Sequence, residues 1–272
     1  MAAYQCLTFL TDYGLEDGFV AACHGVAARI SPNTRIIDIT HLVPPGDVRR
    51  GAAMLAQTVP YLPPGVHVAV VDPGVGTRRR GVAVAAGERV FVGPDNGLLS
   101  WAVREAAEDG RVRAYELTNE ELWLRPVSAT FHGRDIFTPV AAHLLNGMDI
   151  AQTGSPLRPE DLVSLPTPMR RIRGDAIEGE VLTVDRFGNV QLSIPAADLE
   201  GLGMRPGEPV RLSLGKRTMS VRLERTFGEV PPGELVAYAD SAGYVALAVN
   251  SGNAAQRLNL PPGAHVRLAP AR

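Results

Sequence analysis

VHVAVVDPGVGTRRR, residues 66–80, orders the rest of the chain around it. Its first half alternates and then saturates with β-branched apolar residues, the pattern of a buried strand. Pro73, Gly74 and Gly76 then require a turn. Asp72 therefore stands where strand meets turn, just ahead of three consecutive arginines. A carboxylate in that position lies where open α/β sheets form their ligand crevices. The same residues also fit a plainer alternative, since D-P-G is ordinary turn chemistry and Arg78, Arg79 and Arg80 can form a solvated basic edge.

Upstream, residues 5–10 form a short apolar run ending in Thr11, Asp12, Tyr13 and Gly14, and from Asp17 a helical pattern extends to about residue 30. Asp12 thus occupies the same kind of strand end as Asp72. If the two strands are neighbours, both carboxylates share one edge of the sheet. Residues 35–39 read as a further strand, and Asp47 can cap a helix running to about residue 58. Downstream, residues 81–85 and 89–92 suggest a hairpin around Ala86 and Gly87, and GPDNGLLSW feeds a helix through about Glu108. Residues 112–117 suggest another strand. In ATFHGRDIFTPVAAHL, His132 precedes a helix expected from about Asp135, where the local field disfavours a charged imidazole.

Alternating strands and helices predict an α/β N-terminal domain, a layered sandwich with a central sheet, over residues 1–160. The proline-rich run 154–173 shows no clear element, and a linker is expected at 161–173. Residues 174–272 change texture to seven short strand-like runs with little helix, which predicts a smaller all-β barrel domain. At 272 residues the chain can bury a core in each. With 27 basic and 29 acidic residues and a formal charge of −2, it has no global field for nucleic acid or anionic membrane. No apolar run approaches the length of a membrane span, and the start lacks a leader pattern, so a cytoplasmic protein is expected. Cys6 and Cys23 lack metal or disulfide spacing and fit core positions.

The residues with chemistry to offer are Asp12, Asp17, Asp72, one arginine among Arg78 to Arg80, and His132, with DRFGN at 185–189 as a polar island between strands. A carboxylate, a guanidinium and an imidazole can hold and activate a water: the arginine fixes the carboxylate, and the histidine can accept a proton near neutral pH. No phosphate loop, GxSxG elbow, HExxH or paired CxxC is present. His24, His41, His67, His143 and His265 read as structural histidines.

The blocks FLTDYG, VDPGVGT, GPDNGLL, FHGRDIF, DRFGN and NSGNAA, in this order, resemble the S-adenosyl-L-methionine (SAM) hydroxide adenosyltransferase family, relatives of fluorinase and chlorinase. The resemblance runs nearly end to end. It implies an α/β domain followed by a β-barrel, and a homotrimer whose active sites lie between the N-terminal domain of one subunit and the C-terminal domain of its neighbour. The implied reaction is SAM plus water giving adenosine and methionine, with SAM as substrate and with neither cofactor nor metal. In the family an aspartate, an arginine and a histidine accompany the water; they match Asp72, Arg79 and His132. Asp12 matches the carboxylate on the ribose hydroxyls. Asp17, Asp185 and Ser241 match positions on the methionine side, Phe187 and Asn189 match adenine contacts, and Phe131, Asn250 and Ser251 join the substrate-binding positions. The halogenase branch carries a tyrosine in place of Asp72, a serine in place of Gly133 and a tryptophan in place of Gly46, and an anionic Asp72 would repel a halide. A non-catalytic SAM or adenosine sensor and a metal-dependent phosphohydrolase built on Asp12, Asp72 and His132 are the alternatives from other classes.

Overall fold

The computed structural model describes residues 4–107 and 110–271. The chain divides into two compact units, Met1–Leu165 and Pro166–Arg272. The first contains β1 (Cys6–Thr11), α1 (Phe19–Ile30), β2 (Ile36–Thr40), α2 (Val48–Thr58), β3 (Gly65–Val70), β4 (Gly81–Ala86), β5 (Arg89–Pro94), α3 (Ser100–Ala106), β6 (Val112–Glu116), α4 (Thr138–Leu145) and β7 (Ser155–Leu157). Its sheet runs β2-β1-β3-β5-β4-β6-β7. The first four are parallel and the rest antiparallel.

β1 and β3 are buried at every position because both faces of the sheet are covered. Side chains alternate across a strand. Leu7, Phe9, Val66 and Val68 accordingly pack with Ala27 of α1 and Val140 and Leu144 of α4. Leu10, Ala69 and Phe91 point the other way, against Leu55 of α2 and Ala102 of α3. The layered α/β sandwich expected from the sequence is the structure found.

The second unit contains β8 (Arg170–Arg173), β9 (Ala176–Val184), β10 (Val190–Pro195), α5 (Ala196–Gly201), β11 (Pro209–Leu214), β12 (Arg217–Leu223), β13 (Leu235–Ala239), β14 (Tyr244–Val249), α6 (Ala254–Leu258) and β15 (His265–Pro270). The order β10-β14-β13-β12-β11-β15-β9-β8 is closed by a β9–β10 pairing, so seven strands form a barrel and β8 rides outside on β9. Ile177, Leu192, Val210 and Leu247 fill its interior. This is the expected all-β barrel.

Three local expectations change. The run 154–173 is not without structure: Ser155–Leu157 pairs with β6, and Arg170–Arg173 pairs with β9. Prolines erase periodicity there, yet Pro156 is tolerated because β7 is an edge strand, where a missing N–H donor goes unneeded. Helix α1 starts at Phe19 rather than at Asp17, with Gly18 as its uncapped N-terminal boundary. Residues Gly133–Phe137 form a π-helical turn before α4, in place of a regular helix from Asp135. The expected end of the third helix, Glu108, lies outside the described residues. Among the described residues no helix is long and apolar enough to cross a membrane.

Candidate active site

β1 and β3 are parallel neighbours with Thr11 opposite Val70, so Asp12 and Asp72 leave the sheet at the same carboxyl edge. Asn96 Nδ2 donates to Val71 O at 2.8 Å and pins the strand just before Asp72. The chain then turns sharply: Val75 N donates to Asp72 O at 3.2 Å, and Thr77 Oγ1 donates to Gly74 O at 2.7 Å. Gly76 sits at φ +75°, and a Cβ there would meet Ala129 O at 2.3 Å, so the turn is packed against residue 129.

The return of the turn lays Arg79 across Asp72. Arg79 Nε donates to Asp72 Oδ1 at 3.0 Å and Oδ2 at 2.9 Å, and Nη2 also donates to Oδ2. The side chains of Arg79 and Asp72 are 12% and 6% exposed, so this is a nearly dry ion pair. Nη2 further lies 2.9 Å from His132 Nδ1, and the guanidinium stands 5.2 Å from the Phe137 ring centroid. His132 and Phe137 are five residues apart, and the π-turn between them brings both to one arginine.

The hydrogen bond fixes the histidine tautomer. A guanidinium has no acceptor, so His132 Nδ1 must carry the lone pair and Nε2 the proton. Burial lowers the His132 pKa below its usual value, Arg79 lowers it further, and Asp72 and Asp135 oppose. The imidazole is therefore neutral, for reasons of burial and guanidinium charge. The sequence argument gave histidine the role of proton acceptor. In the structure its acceptor nitrogen is taken by Arg79, and the ring offers an N–H donor.

Asp12 is held by Gly46, whose N–H donates to Oδ2 at 2.9 Å. Beside it, Tyr13 was not singled out by sequence; its only signal was its place in the same strand-end turn. A Cβ at Gly133 would fall 2.0 Å from the Tyr13 hydroxyl oxygen. Burial raises the Tyr13 pKa, with Cys23, Asp12 and Asp72 adding and Arg79 opposing, so the hydroxyl remains protonated. Phe131 packs against Tyr13 and Phe19 with centroids at 5.6 and 5.2 Å, and Arg134 covers it at 4.9 Å. Asp17 is exposed in the loop before α1, outside this hydrogen-bonded group. Of the three arginines only Arg79 meets Asp72. Arg78 is exposed, and Arg80 Nε donates to Asp95 at 2.9 Å.

The second unit carries its own cavity of about 510 Å³, lined by Asp185, Phe187, Asn189, Phe227, Val249 and Ser251 together with Gly252. That size suits a small ligand. Asp185 Oδ1 accepts the N–H groups of Phe187 and Asn189 at 2.9 Å each, and Oδ2 accepts Asn189 Nδ2 at 2.8 Å. The two polar side chains thus build the turn, while Phe187 projects from it at 69% exposure. Ser251 has φ +58°, a left-handed conformation costing a non-glycine residue about 1–2 kcal/mol. Asn250 is a brace, donating through Nδ2 to Val230 O at 2.7 Å. Ser241 is exposed in a turn organised by Asp240 and does not line this cavity. Phe227 and Val249 escaped the sequence argument, because an apolar residue in a loop of prolines and glycines, or at the end of an apolar strand, carries no chemical signature.

The N-terminal domain model of the SAM hydroxide adenosyltransferase family matches residues 7–154, and its C-terminal domain model matches residues 179–267. Over 269 residues the chain is 57% identical to the (R)-S-adenosyl-L-methionine hydrolase of Salinispora tropica, spanning 98% of this chain and 99% of that one. A fluorinase from Actinoplanes sp. is 29% identical over 293 residues, spanning 97% of each. The crystal structure of a conserved protein from Thermotoga maritima superposes with a TM-score of 0.90 at 37% identity, over 97% of this chain and 99% of that one.

Proposed function

We propose, since this chain belongs to the SAM hydroxide adenosyltransferase family, that it hydrolyses S-adenosyl-L-methionine to adenosine and L-methionine, with the water held at Asp72, Arg79 and His132. The observation that carries the assignment of residues is the line of contacts from Asp72 through Arg79 to His132 at the carboxyl edge of the sheet. SAM is the substrate, and its sulfonium is already a good leaving group. A water lone pair forms the C5′–O bond as the C5′–S pair returns to sulfur, so methionine leaves as a neutral thioether. The water's surplus proton passes to Asp72 and then to solvent. No acid has to protonate sulfur.

What remains for the protein is placement. Arg79 occupies one side of the Asp72 carboxylate, whose free lone pairs accept from the water, and the His132 Nε2–H donates to the water oxygen. Aligning that oxygen behind C5′ is worth up to about 7–11 kcal/mol by the effective-molarity argument, against about 10²–10⁴-fold for proton abstraction. Positioning therefore dominates. Asp12 is assigned to the ribose hydroxyls, with Phe131 and Asp17 also on the substrate. The second-unit cavity is assigned to the substrate, with Phe187 and Asn189 on the adenine, Asn250 and Ser251 beside them, and Asp185 toward the methionine portion. Ser241, outside this cavity, is likewise assigned to the methionine side. The complete site forms in a homotrimer, where the second unit comes from a neighbouring copy.

Halide is disfavoured as the nucleophile. A second anion about 4 Å from the Asp72 carboxylate meets a repulsion of about 4 kcal/mol at an effective dielectric of 20. The Tyr13 hydroxyl also fills the space in front of Gly133. Nor do ligand atoms of Asp12, Asp72 and His132 converge as a metal phosphohydrolase needs: among the described residues the one such cluster lies elsewhere.

The test is a chromatographic time course of purified protein with SAM, run with and without chelator and with chloride varied. Adenosine and methionine in equal amounts, indifferent to both additions, are expected. Tight SAM binding without product would make the chain a sensor, and 5′-chloroadenosine would overturn the argument about halide. Asp72→Asn should lower kcat by about 10²-fold or more while calorimetric SAM affinity stays nearly unchanged.

A further inference from the structure

His24 on α1, Asp38 on β2 and His41 just beyond β2 bring three ligand atoms within 4.8 Å of one another, the only such group of three found among the described residues. His24 Nε2 lies 2.9 Å from Asp38 Oδ1, and His41 Nε2 lies 3.1 Å from the same oxygen. The His41 side chain is only 4% exposed. Its Nε2 nonetheless forms no aligned hydrogen bond: it is close to the carboxylate but off the line a bond requires. The other ring nitrogen, Nδ1, is 2.8 Å from Thr11 Oγ1. His24 and Asp38 are 31% and 41% exposed, so the group opens to solvent on one side.

This arrangement leaves a buried polar nitrogen unsatisfied, and buried polar groups without partners are rare in native structures. In the tautomer that donates Nδ1–H to Thr11 Oγ1, the one a metal-ligating Nε2 requires, His41 Nε2 carries its lone pair toward a carboxylate oxygen, two electron-rich atoms face to face. A cation among the three donors removes that conflict. Zn²⁺ binds imidazole and carboxylate at about 2.0–2.2 Å in a tetrahedral array, which places donors roughly 3.3 Å apart. Two of the three separations already lie within about half an ångström of that figure. The half-exposed His24 can rotate to close the third. The Thr11 hydroxyl orients the buried imidazole from behind, as ligating histidines require.

We propose that His24, Asp38 and His41 form a transition-metal site, suited to Zn²⁺, that is separate from the Asp72 group and completed by a solvent molecule on its open side. Two imidazoles and one carboxylate favour Zn²⁺ or Co²⁺ over Mg²⁺ or Ca²⁺, which select all-oxygen sites. The sequence could not single it out: the ligands lie on a helix, a strand and a loop with no motif spacing, and these histidines read as structural.

The experiment uses the full, untagged chain, stripped with chelator, desalted and titrated with ZnCl₂ against a chromogenic chelator. One Zn²⁺ per chain is expected, with affinity weakened at least tenfold in His24→Ala and in Asp38→Ala. Both positions are half-exposed, so circular dichroism should show the fold retained. Co²⁺ should give the visible bands of a four- or five-coordinate ion in the natural chain and lose them in His24→Ala. Absence of stoichiometric uptake would overturn the proposal and leave a proton-shared triad. Uptake unchanged in both variants would overturn it as well, placing the metal elsewhere.

Discussion

Arg79 touches Asp72, His132 and the Phe137 ring at once, and this shared guanidinium ties the histidine's protonation to the site. His132 has a pKa lowered first by burial and then by Arg79. The neutral form, which accepts from Arg79, therefore persists below the usual imidazole value of about 6.5. On the acid side kcat/KM should hold through that value and fall only at lower pH, as protonation sets imidazolium against guanidinium. In Arg79→Gln a donor remains but the charge is lost, while Asp72 still favours the imidazolium. The His132 titration, followed by ¹³C-labelled histidine NMR, should move upward; an unmoved midpoint would mean that burial alone sets it. At Gly133 the constraint is steric. A methyl group there meets the Tyr13 hydroxyl at 2.0 Å, and with the hydroxyl gone the next atom, Tyr13 Cζ, lies at 3.0 Å. Gly133→Ala should cost about 1–3 kcal/mol, the range for overpacking, and Tyr13→Phe should recover part of it. A denaturation double-mutant cycle with no coupling would contradict this packing. Three adjacent arginines cannot be told apart by composition; only the direction of the turn shows which one reaches back to Asp72.

At the scale of elements, two turns do the positioning. The first, from Asp72 to Arg79, depends on Gly76 at φ +75° and on its contact with Ala129 O. Gly76→Ala should cost about 1–2 kcal/mol in backbone strain and lower kcat more than it raises KM, because Arg79 shifts relative to Asp72. Steady-state kinetics and a thermal melt on one sample separate the two effects. The second turn is DRFGN, where Asp185 accepts three hydrogen bonds that present Phe187. Asp185→Ala removes all three, about 1 kcal/mol each, and should loosen the turn and raise KM by up to about 10²-fold, with kcat little changed. Strand periodicity made both sheets legible, since β1 and β3 are saturated with apolar residues and the barrel strands are short and evenly punctuated. The elements that escaped are those without periodicity. The π-turn at Gly133–Phe137 has an ordinary helical composition, and β7 is built around Pro156, which reads as a breaker unless its place at a sheet edge is known. The site was legible in its residue types, strand-end carboxylates above all, whereas Tyr13 and Phe227 act through shape and leave no chemical mark in the sequence.

For the whole molecule the proposal of a homotrimer with shared sites makes a quantitative demand. Asp12, Asp72, Arg79 and His132 belong to the Met1–Leu165 unit, and the cavity with Phe187, Asn189 and Ser251 belongs to the Pro166–Arg272 unit. A chain carrying Asp72→Asn is defective in the first unit only. A chain carrying Asp185→Ala, Phe187→Ala and Asn189→Ala is defective in the second only. If each site draws its two units from different copies in a closed ring, equal co-expression of the two inactive chains pairs an intact first unit with an intact second unit in about one site in four, restoring about a quarter of the natural rate. If each chain completed its own site, every site would carry one defect and the mixture would stay inactive. Sedimentation analysis of the same sample supplies the subunit count that the arithmetic assumes. A monomer with full activity would remove the shared site altogether, while a trimer without complementation would keep the assembly and return both halves of the site to one chain.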